Sequence, residues 1–82
     1  VNYSVEKLIE LIEACQSHEK DLVQRFANLD QFLIHRRSGS IDSLQTMQMI
    51  LTLRNHFQVD FEARDFLQAD ARMLYTLLKN PN

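Results

Sequence analysis

Ser43 is the residue whose position most suggests chemistry, because it lies between Asp42 and Leu44 where a loop turns into an apolar-periodic segment. A serine hydroxyl at such a place caps a helix, acts as a nucleophile or accepts a group from another enzyme. A nucleophile needs a base within hydrogen-bond reach and a group that orients this base. The three histidines show no distinctive spacing to Ser43, and no glycine flanks it at the two-residue spacing of a nucleophile elbow. We therefore expect no catalytic residue in this chain.

The histidines and the cysteine indicate no further reactive site. His18 and Glu19 are adjacent, but together with His35 and His56 they do not form a ligand set with metal-binding spacing. Cys15 is the one cysteine, and it falls on the apolar spacing of the first periodic segment. We expect Cys15 to be a buried core thiol, and we expect no metal site.

Size and charge restrict the function further. A chain of 82 residues predicts one domain over residues 1–82, with little room for a deep active site. The nine basic and eleven acidic residues are evenly spread, which disfavours nucleic-acid binding because that function usually needs a basic stripe. No apolar run is long enough to span a bilayer, and the first residues do not resemble a signal peptide. We expect a monomeric, cytoplasmic protein with no membrane contact.

The hydrophobic spacing predicts an all-α fold, a small bundle of three main helices plus one short helix. The first helix is expected to run from Ser4, as its N-cap, to about Ser17. The short helix is expected over residues 63–67. Asp70 should cap the last helix, and Pro81 stands just past the expected end of that helix.

A long first loop is expected between residues 18 and 41, with a short helical turn inside it. Apolar residues within this loop would hold it against the core, namely Phe32, Leu33 and Ile34. Arg36 and Arg37 form the one adjacent basic pair. The sequence leaves open whether this pair recognises a partner or is simply solvated.

The second main helix should begin at Asp42 or Ser43 and end near Phe57, because Asp42 and Gln45 have the form of a capping box. Its apolar residues form two groups on a helical wheel, with a charged arginine between them. The first group matches a core face and consists of Met49, Ile50, Leu53 and Phe57. The second begins beside Ser43 and consists of Leu44, Met47 and Leu51, which we call the outer stripe. The alternative is one wide buried face, out of which Arg54 extends to solvent.

These features together resemble the acyl and peptidyl carrier proteins. The segment GSIDSL at 39–44, the helix that follows it, and the connector VDF at 59–61 are similar to the attachment region of that family. In the family the attachment site has the sequence Asp-Ser-Leu or Asp-Ser-Met and follows a long first loop. Phe66 matches the aromatic residue of the short helix, and Asp70 matches the cap of the final helix. The resemblance extends over essentially the whole chain.

The resemblance implies a function in which the chain itself is not an enzyme. A phosphopantetheinyl transferase would move 4′-phosphopantetheine from coenzyme A onto Ser43, with the magnesium ion and the general base belonging to the transferase. Asp42 would be the motif residue and the helix cap. The terminal thiol of the arm would hold an acyl or aminoacyl group as a thioester. Loading enzymes and downstream synthase or transferase enzymes would then be partners, and the outer stripe (Leu44, Met47 and Leu51) would contact them.

Two departures from the family pattern bear on the pathway. Fatty-acid carriers of the bacterial type usually have Asp and Glu along this helix, whereas the present chain has no acidic residue between Ser43 and Phe57. Electrostatic steering by this helix should therefore be weak. Gly39 also stands three residues before Asp42, a spacing found in discrete aminoacyl and acyl carriers. The resemblance is thus nearer to those carriers, and it implies specialised metabolism of the polyketide or nonribosomal peptide type.

Another function class is compatible with the same residues. A small helical adaptor without a prosthetic group would use the outer stripe to dock into a groove of a partner protein. Its binding would be indifferent to Ser43→Ala. A helix-turn-helix DNA-binding function is disfavoured because no basic recognition helix is present.

Overall fold

The computed structural model describes residues 3–17 and 20–79. Within these two ranges the chain contains helices but no strand, which confirms the predicted all-α fold. The helices are α1 (Val5–Ser17), α2 (Leu22–Arg37), α3 (Ser43–Phe57), α4 (Ala63–Gln68) and α5 (Ala71–Leu78). His18, with its neighbour Glu19, and Pro81 lie outside the described residues.

The core lies between α1, α2, α3 and α5, and residues of the connector and of α4 also belong to it. The apolar spacing of α1 predicts one buried face of five residues. Leu8, Ile12 and Cys15 are buried, whereas Val5 and Ile9 are only partly buried against the same core. Full burial of a leucine or isoleucine side chain contributes roughly 1.5–3 kcal/mol to folding. Ser4 caps this helix as predicted, because its Oγ accepts a hydrogen bond from Lys7 N at 3.2 Å.

The predicted long first loop is wrong, because most of it forms α2, a helix of 16 residues. The buried residues Phe26, Leu29, Leu33 and Arg36 follow one another at helical spacings of three and four. No glycine or proline interrupts the segment. Asp21 stands at the N-cap of this helix, but its φ is 60° and its side chain makes no cap hydrogen bond.

The three residues expected to pin that loop are placed differently from one another. Phe32 and Leu33 are buried as predicted, because both lie on the inner side of α2. Ile34 is exposed instead. Three consecutive residues of a helix point in three directions about 100° apart, so they do not all face one core.

Gly39 ends α2 and directs the chain towards the start of α3. Its φ of 88° lies in the left-handed region that glycine adopts without a steric cost. Ser40 N donates a 2.9 Å hydrogen bond to His35 O, which closes the turn. Ile41 then enters the core. The backbone of the next residue, Asp42, is therefore fixed by a buried neighbour.

The end of α3 and the connector after it agree with the prediction. The helix ends at Phe57, and Gln58 has a φ of 56°. Val59 and Phe61 are buried in the connector, while Asp60 between them is exposed and pairs with Arg54 at 2.6 Å. The short helix α4 follows within one residue of its predicted range, and its Phe66 is fully buried.

Helix α2 holds the junction between α4 and α5 at two points. Asp30 Oδ1 accepts a 2.8 Å hydrogen bond from Ala71 N at the start of α5. Arg36 binds carbonyl groups at the end of α4. A negative charge at the start of a helix and a positive charge at its end both interact favourably with the helix dipole. Asp70 adds the predicted cap, since its Oδ1 accepts from Met73 N at 2.9 Å.

Candidate functional site

A surface cleft of about 570 Å³ opens where the end of α2, the start of α3 and the end of α4 meet. Its wall contains an exposed hydroxyl, two arginines, a carboxylate and several apolar side chains. Its lining includes Arg37, Ile41, Asp42, Ser43, Met47 and Leu67. The cleft therefore combines polar groups that can bind an anion with apolar surface.

Ser43 is the first residue of α3, and it is exposed. The predicted capping box is confirmed: Asp42 Oδ1 accepts from Gln45 N at 2.8 Å, and Gln45 Oε1 accepts from Asp42 N at 3.1 Å. The cap is therefore made by Asp42, and the Ser43 hydroxyl is not needed for it. The first turn of a helix leaves N–H groups without intrahelical acceptors, and those of Ser43 and Leu44 are among them.

Thr46 fixes the backbone just before the serine. Its Oγ1 and its N–H both donate to Asp42 O, each at 2.9 Å. Thr46 is buried, and Ile41 on the other side of the motif is buried too. The Asp42–Ser43 backbone is thus held from both sides while the Ser43 side chain stays accessible.

The two apolar groups of α3 are separated as the helical wheel predicts. Met49, Ile50 and Leu53 are buried, and Phe57 packs partly buried against the same core. The outer stripe is exposed: Leu44 by 68%, Met47 by 46% and Leu51 by 57%. A single wide buried face is therefore excluded. Apolar side chains that stay this exposed next to one another are typical of surfaces that contact other molecules.

Arg36 is not solvated, because only 7% of the residue is exposed. Its guanidinium donates to the carbonyl groups of Phe66, Leu67 and Ala69, the last two at 3.0 and 3.2 Å. It also stacks on the Phe66 ring, with Cζ 4.8 Å from the ring centroid. Burial, and after it the nearby charge of Arg37, lower the pKa of Arg36 to about 10. Arg36 therefore has a structural role: it binds the end of α4 to α2.

Arg37 differs from its neighbour because it is exposed at the edge of the cleft. It donates one long hydrogen bond, from Nη1 to Ala69 O at 3.5 Å. Among the described residues, neither Arg36 nor Arg37 forms an ion pair with a carboxylate. Asp42, the carboxylate in the same cleft, is occupied by the helix cap. The cleft thus has an excess of positive charge beside Ser43.

The other candidate residues from the sequence lie away from this cleft. Cys15 is buried as predicted, and burial raises the pKa of its thiol, partly opposed by the charge of Arg25. His35 stacks on Tyr3, with ring centroids 4.4 Å apart, and His56 Nε2 lies 3.1 Å from Glu13 Oε2. In residues 3–17 and 20–79 no group of His, Cys, Asp and Glu is arranged to bind a metal ion.

Sequence analysis missed the role of Arg36. Its acceptors are backbone carbonyls 30 to 33 residues further along the chain, and a carbonyl carries no residue-specific signal. The helical spacing of Arg36 with Phe26, Leu29 and Leu33 was the one available indication, and it depended on recognising α2 as a helix.

The comparisons with known proteins give one match. The family described as "Phosphopantetheine attachment site" matches residues 36–71, which include Arg36, the cleft and all of α3. Members of this family attach 4′-phosphopantetheine covalently to a serine. Neither the curated proteins nor the solved structures give a significant match. None of the described helices is both long and apolar enough to cross a membrane.

The residues of the cleft fit such a group. A phosphodiester on the Ser43 oxygen would lie at the start of α3, where unpaired N–H groups and the helix dipole favour an anion. Arg37 supplies a cation at the same cleft. Ile41, Met47 and Leu67 supply apolar surface for the methylene groups of an extended arm.

Proposed function

Since residues 36–71 match the family described as a phosphopantetheine attachment site, which is consistent with an acyl or peptidyl carrier, we propose that Ser43 is the attachment site of the arm. The observation that most supports this is the exposure of Ser43 beside a cap made entirely by its neighbour Asp42. A serine that a helix needs for its own cap would have its oxygen occupied. Ser43 is available to an external donor because Asp42 takes over the capping.

The modification would be a phosphoryl-group transfer in which this chain supplies only the acceptor. The Ser43 oxygen forms a new bond to the coenzyme A phosphorus that bears pantetheine, and the bond to the 3′,5′-ADP leaving group breaks. The hydroxyl proton goes to a base of the transferase. The thiol at the end of the arm then holds an acyl or aminoacyl group as a thioester. No catalytic residue of the carrier is required for any of these steps.

The outer stripe is the surface we propose for the transferase and the loading enzymes. Leu44, Met47 and Leu51 are exposed, continuous with Ser43, and free of charge. A partner would bury them by the hydrophobic effect, with little electrostatic steering because α3 contains no acidic residue. This composition supports a carrier of specialised metabolism, nearer to discrete aminoacyl and acyl carriers than to acidic fatty-acid carriers.

The test is an intact mass measurement after incubation with coenzyme A and a promiscuous phosphopantetheinyl transferase. We expect a gain of one phosphopantetheine on the wild-type chain and none on Ser43→Ala. Ser40→Ala is the matched control, because Ser40 is also exposed and lies three residues before Ser43; it should gain the full mass. A gain that survives Ser43→Ala would place the attachment elsewhere.

The adaptor hypothesis makes the opposite prediction for the same variants. A helical adaptor would bind its partner through the outer stripe with equal affinity in wild type and Ser43→Ala, and the wild type would gain no mass. The family match favours the carrier.

The cargo class is best tested by incubating the carrier that bears the arm with adenylate-forming enzymes encoded next to its gene, since an aminoacyl or acyl mass gain would identify the cargo. Monomeric state and cytoplasmic location stay predictions.

A further inference from the structure

The charge of the cleft beside Ser43 is not balanced by the residues that line it. Arg36 and Arg37 both contribute positive charge, and no ion pair of either is found among the described residues. Asp42 contributes the negative charge, but its carboxylate already accepts from Gln45 N. A singly charged anion in the cleft would remove this imbalance.

The two arginines differ in what they can offer to an anion. Arg36 directs its guanidinium into the end of α4, where it binds three carbonyls and the face of Phe66. Arg37 has one long hydrogen bond at 3.5 Å and is exposed. A guanidinium has five N–H donors in a planar fork, which suits two oxygens of a phosphate. Arg37 therefore keeps most of its donors for a ligand.

The anchoring of Arg36 makes Arg37 a better-positioned cation than an ordinary surface arginine. Both stand at the end of α2, and Arg36 fixes that helix end against α4. Ala69 O accepts from both guanidinium groups, at 3.2 and 3.5 Å, so the two lie side by side. Repulsion between them contributes to the lowered pKa of Arg36. An anion next to Arg37 would reduce this repulsion.

We propose that Arg37 binds the phosphodiester of the arm on Ser43 and so holds the first part of the arm in the cleft. This inference rests on the proposed attachment at Ser43. The N–H groups in the first turn of α3 bind the same anion. Arg37 is thus a positioning residue: it restricts the direction in which the arm leaves the protein. The apolar wall of Ile41, Met47 and Leu67 then lies along the adjoining methylene groups.

The experiment compares four forms of the protein: wild type, Arg37→Gln, Arg37→Lys and Arg54→Gln. Each is measured with the arm attached (loaded) and without it (unloaded). Arg54 is the matched control, because it belongs to the other end of α3 and pairs with Asp60. Intact mass first establishes that each form has gained the arm. The ³¹P chemical shift of the phosphodiester, its change between low and high salt, and the difference in melting temperature between loaded and unloaded protein are then measured.

We expect the wild type and Arg54→Gln to share one ³¹P shift that changes with salt, and a higher melting temperature when loaded. Arg37→Gln should show a different shift that is insensitive to salt, and its gain in melting temperature should be smaller. Arg37→Lys should retain the salt dependence, because the charge is kept, with part of the gain lost because the fork is absent.

The measurements distinguish a failure of the Arg37 proposal from a failure of the proposed attachment at Ser43. If all four forms gain the arm and have the same ³¹P shift and the same melting gain, Arg37 does not bind the phosphodiester, while the attachment at Ser43 stands. If the wild type gains no mass, the proposed function fails and this inference fails with it. If Arg54→Gln changes the shift as much as Arg37→Gln, the effect is one of general charge, and a specific role of Arg37 is excluded.

Discussion

The inner and outer faces of α3 have nearly the same composition and opposite surroundings. Met49, Ile50 and Leu53 are almost completely buried, whereas the outer stripe is about half exposed or more. The core is closed without the outer stripe, because α1 and α4 pack against α3 and the inner face joins the common core cluster. Apolar character on this helix therefore exceeds what folding uses, and position alone decides which residues stabilise the protein.

The end of α2 repeats this contrast with two charged residues. Arg36 is buried and holds α4 in place, while Arg37 beside it is exposed and makes a single long hydrogen bond. In both helices a buried residue that stabilises the fold lies next to, or close to, an exposed residue that can contact another molecule. Paired substitutions can therefore separate stability from function at each place.

The largest expected effect is the difference between Leu53→Ala and Leu51→Ala. Leu53 is fully buried, so truncation should lower the free energy of unfolding by about 2–5 kcal/mol. Leu51→Ala should change it by less than about 0.5 kcal/mol. Urea unfolding followed by circular dichroism gives both values. Ile50→Val, with an expected loss of about 0.5–1.5 kcal/mol, keeps the comparison measurable in a variant that remains folded.

Equal losses for Leu51→Ala and Leu53→Ala would break the comparison. They would mean that the outer stripe is covered in solution by another part of the molecule or by a second copy. Repeating the unfolding at several protein concentrations separates these two explanations, because only self-association makes the transition concentration-dependent.

The second prediction applies the same test to the arginines. Arg36→Met removes the donors of three carbonyls and should lower the free energy of unfolding by about 1.5–3 kcal/mol, as expected for hydrogen bonds to a charged group. Arg37→Met should cost less than about 0.5 kcal/mol, because it loses one long hydrogen bond at the surface. A similar loss in both variants would show that Arg37 is also part of the fold.

These contrasts were predictable from sequence to different degrees. Helix α3 was predictable because Asp42 and Gln45 form a local capping box and because its two apolar groups separate on a helical wheel. Helix α2 was not, because it starts without a side-chain cap and its apolar residues are diluted by polar ones.

Some features of the candidate site are likewise predictable from the sequence, and others are not. The exposure of Ser43 and of the outer stripe follows from helical periodicity, which is a local property. The cleft does not follow from helical periodicity, since it forms where the end of α2, the start of α3 and the end of α4 meet. The different roles of Arg36 and Arg37 depend on where their two side chains point. These directions depend on the packing of α4.

A smaller effect is expected at the start of α3, where Asp42 and Ser43 form another adjacent pair. Asp42→Ala removes the cap to Gln45 N and should lower the free energy of unfolding by about 0.5–2 kcal/mol. Ser43→Ala should change it by less than about 0.5 kcal/mol, since that hydroxyl takes no part in the capping box. Asp42→Asn is the control that retains a capping oxygen. A larger loss for Ser43→Ala than for Asp42→Ala would mean that the serine serves the helix.

The smallest effect on stability is expected for Met47→Glu, and here function should change instead. Met47 is 46% exposed, so the carboxylate stays in water and the free energy of unfolding should shift by less than about 0.5 kcal/mol. The kcat/KM for arm addition by the transferase, and for subsequent cargo loading, should fall because a charge must be desolvated when a partner covers the outer stripe. Gln48→Glu adds the same charge at the next residue, outside the outer stripe, and should leave both rates close to wild type. A loss of stability in Met47→Glu would assign Met47 to the core, whereas equal slowing by Gln48→Glu would mean that charge on α3, rather than the outer stripe, governs docking.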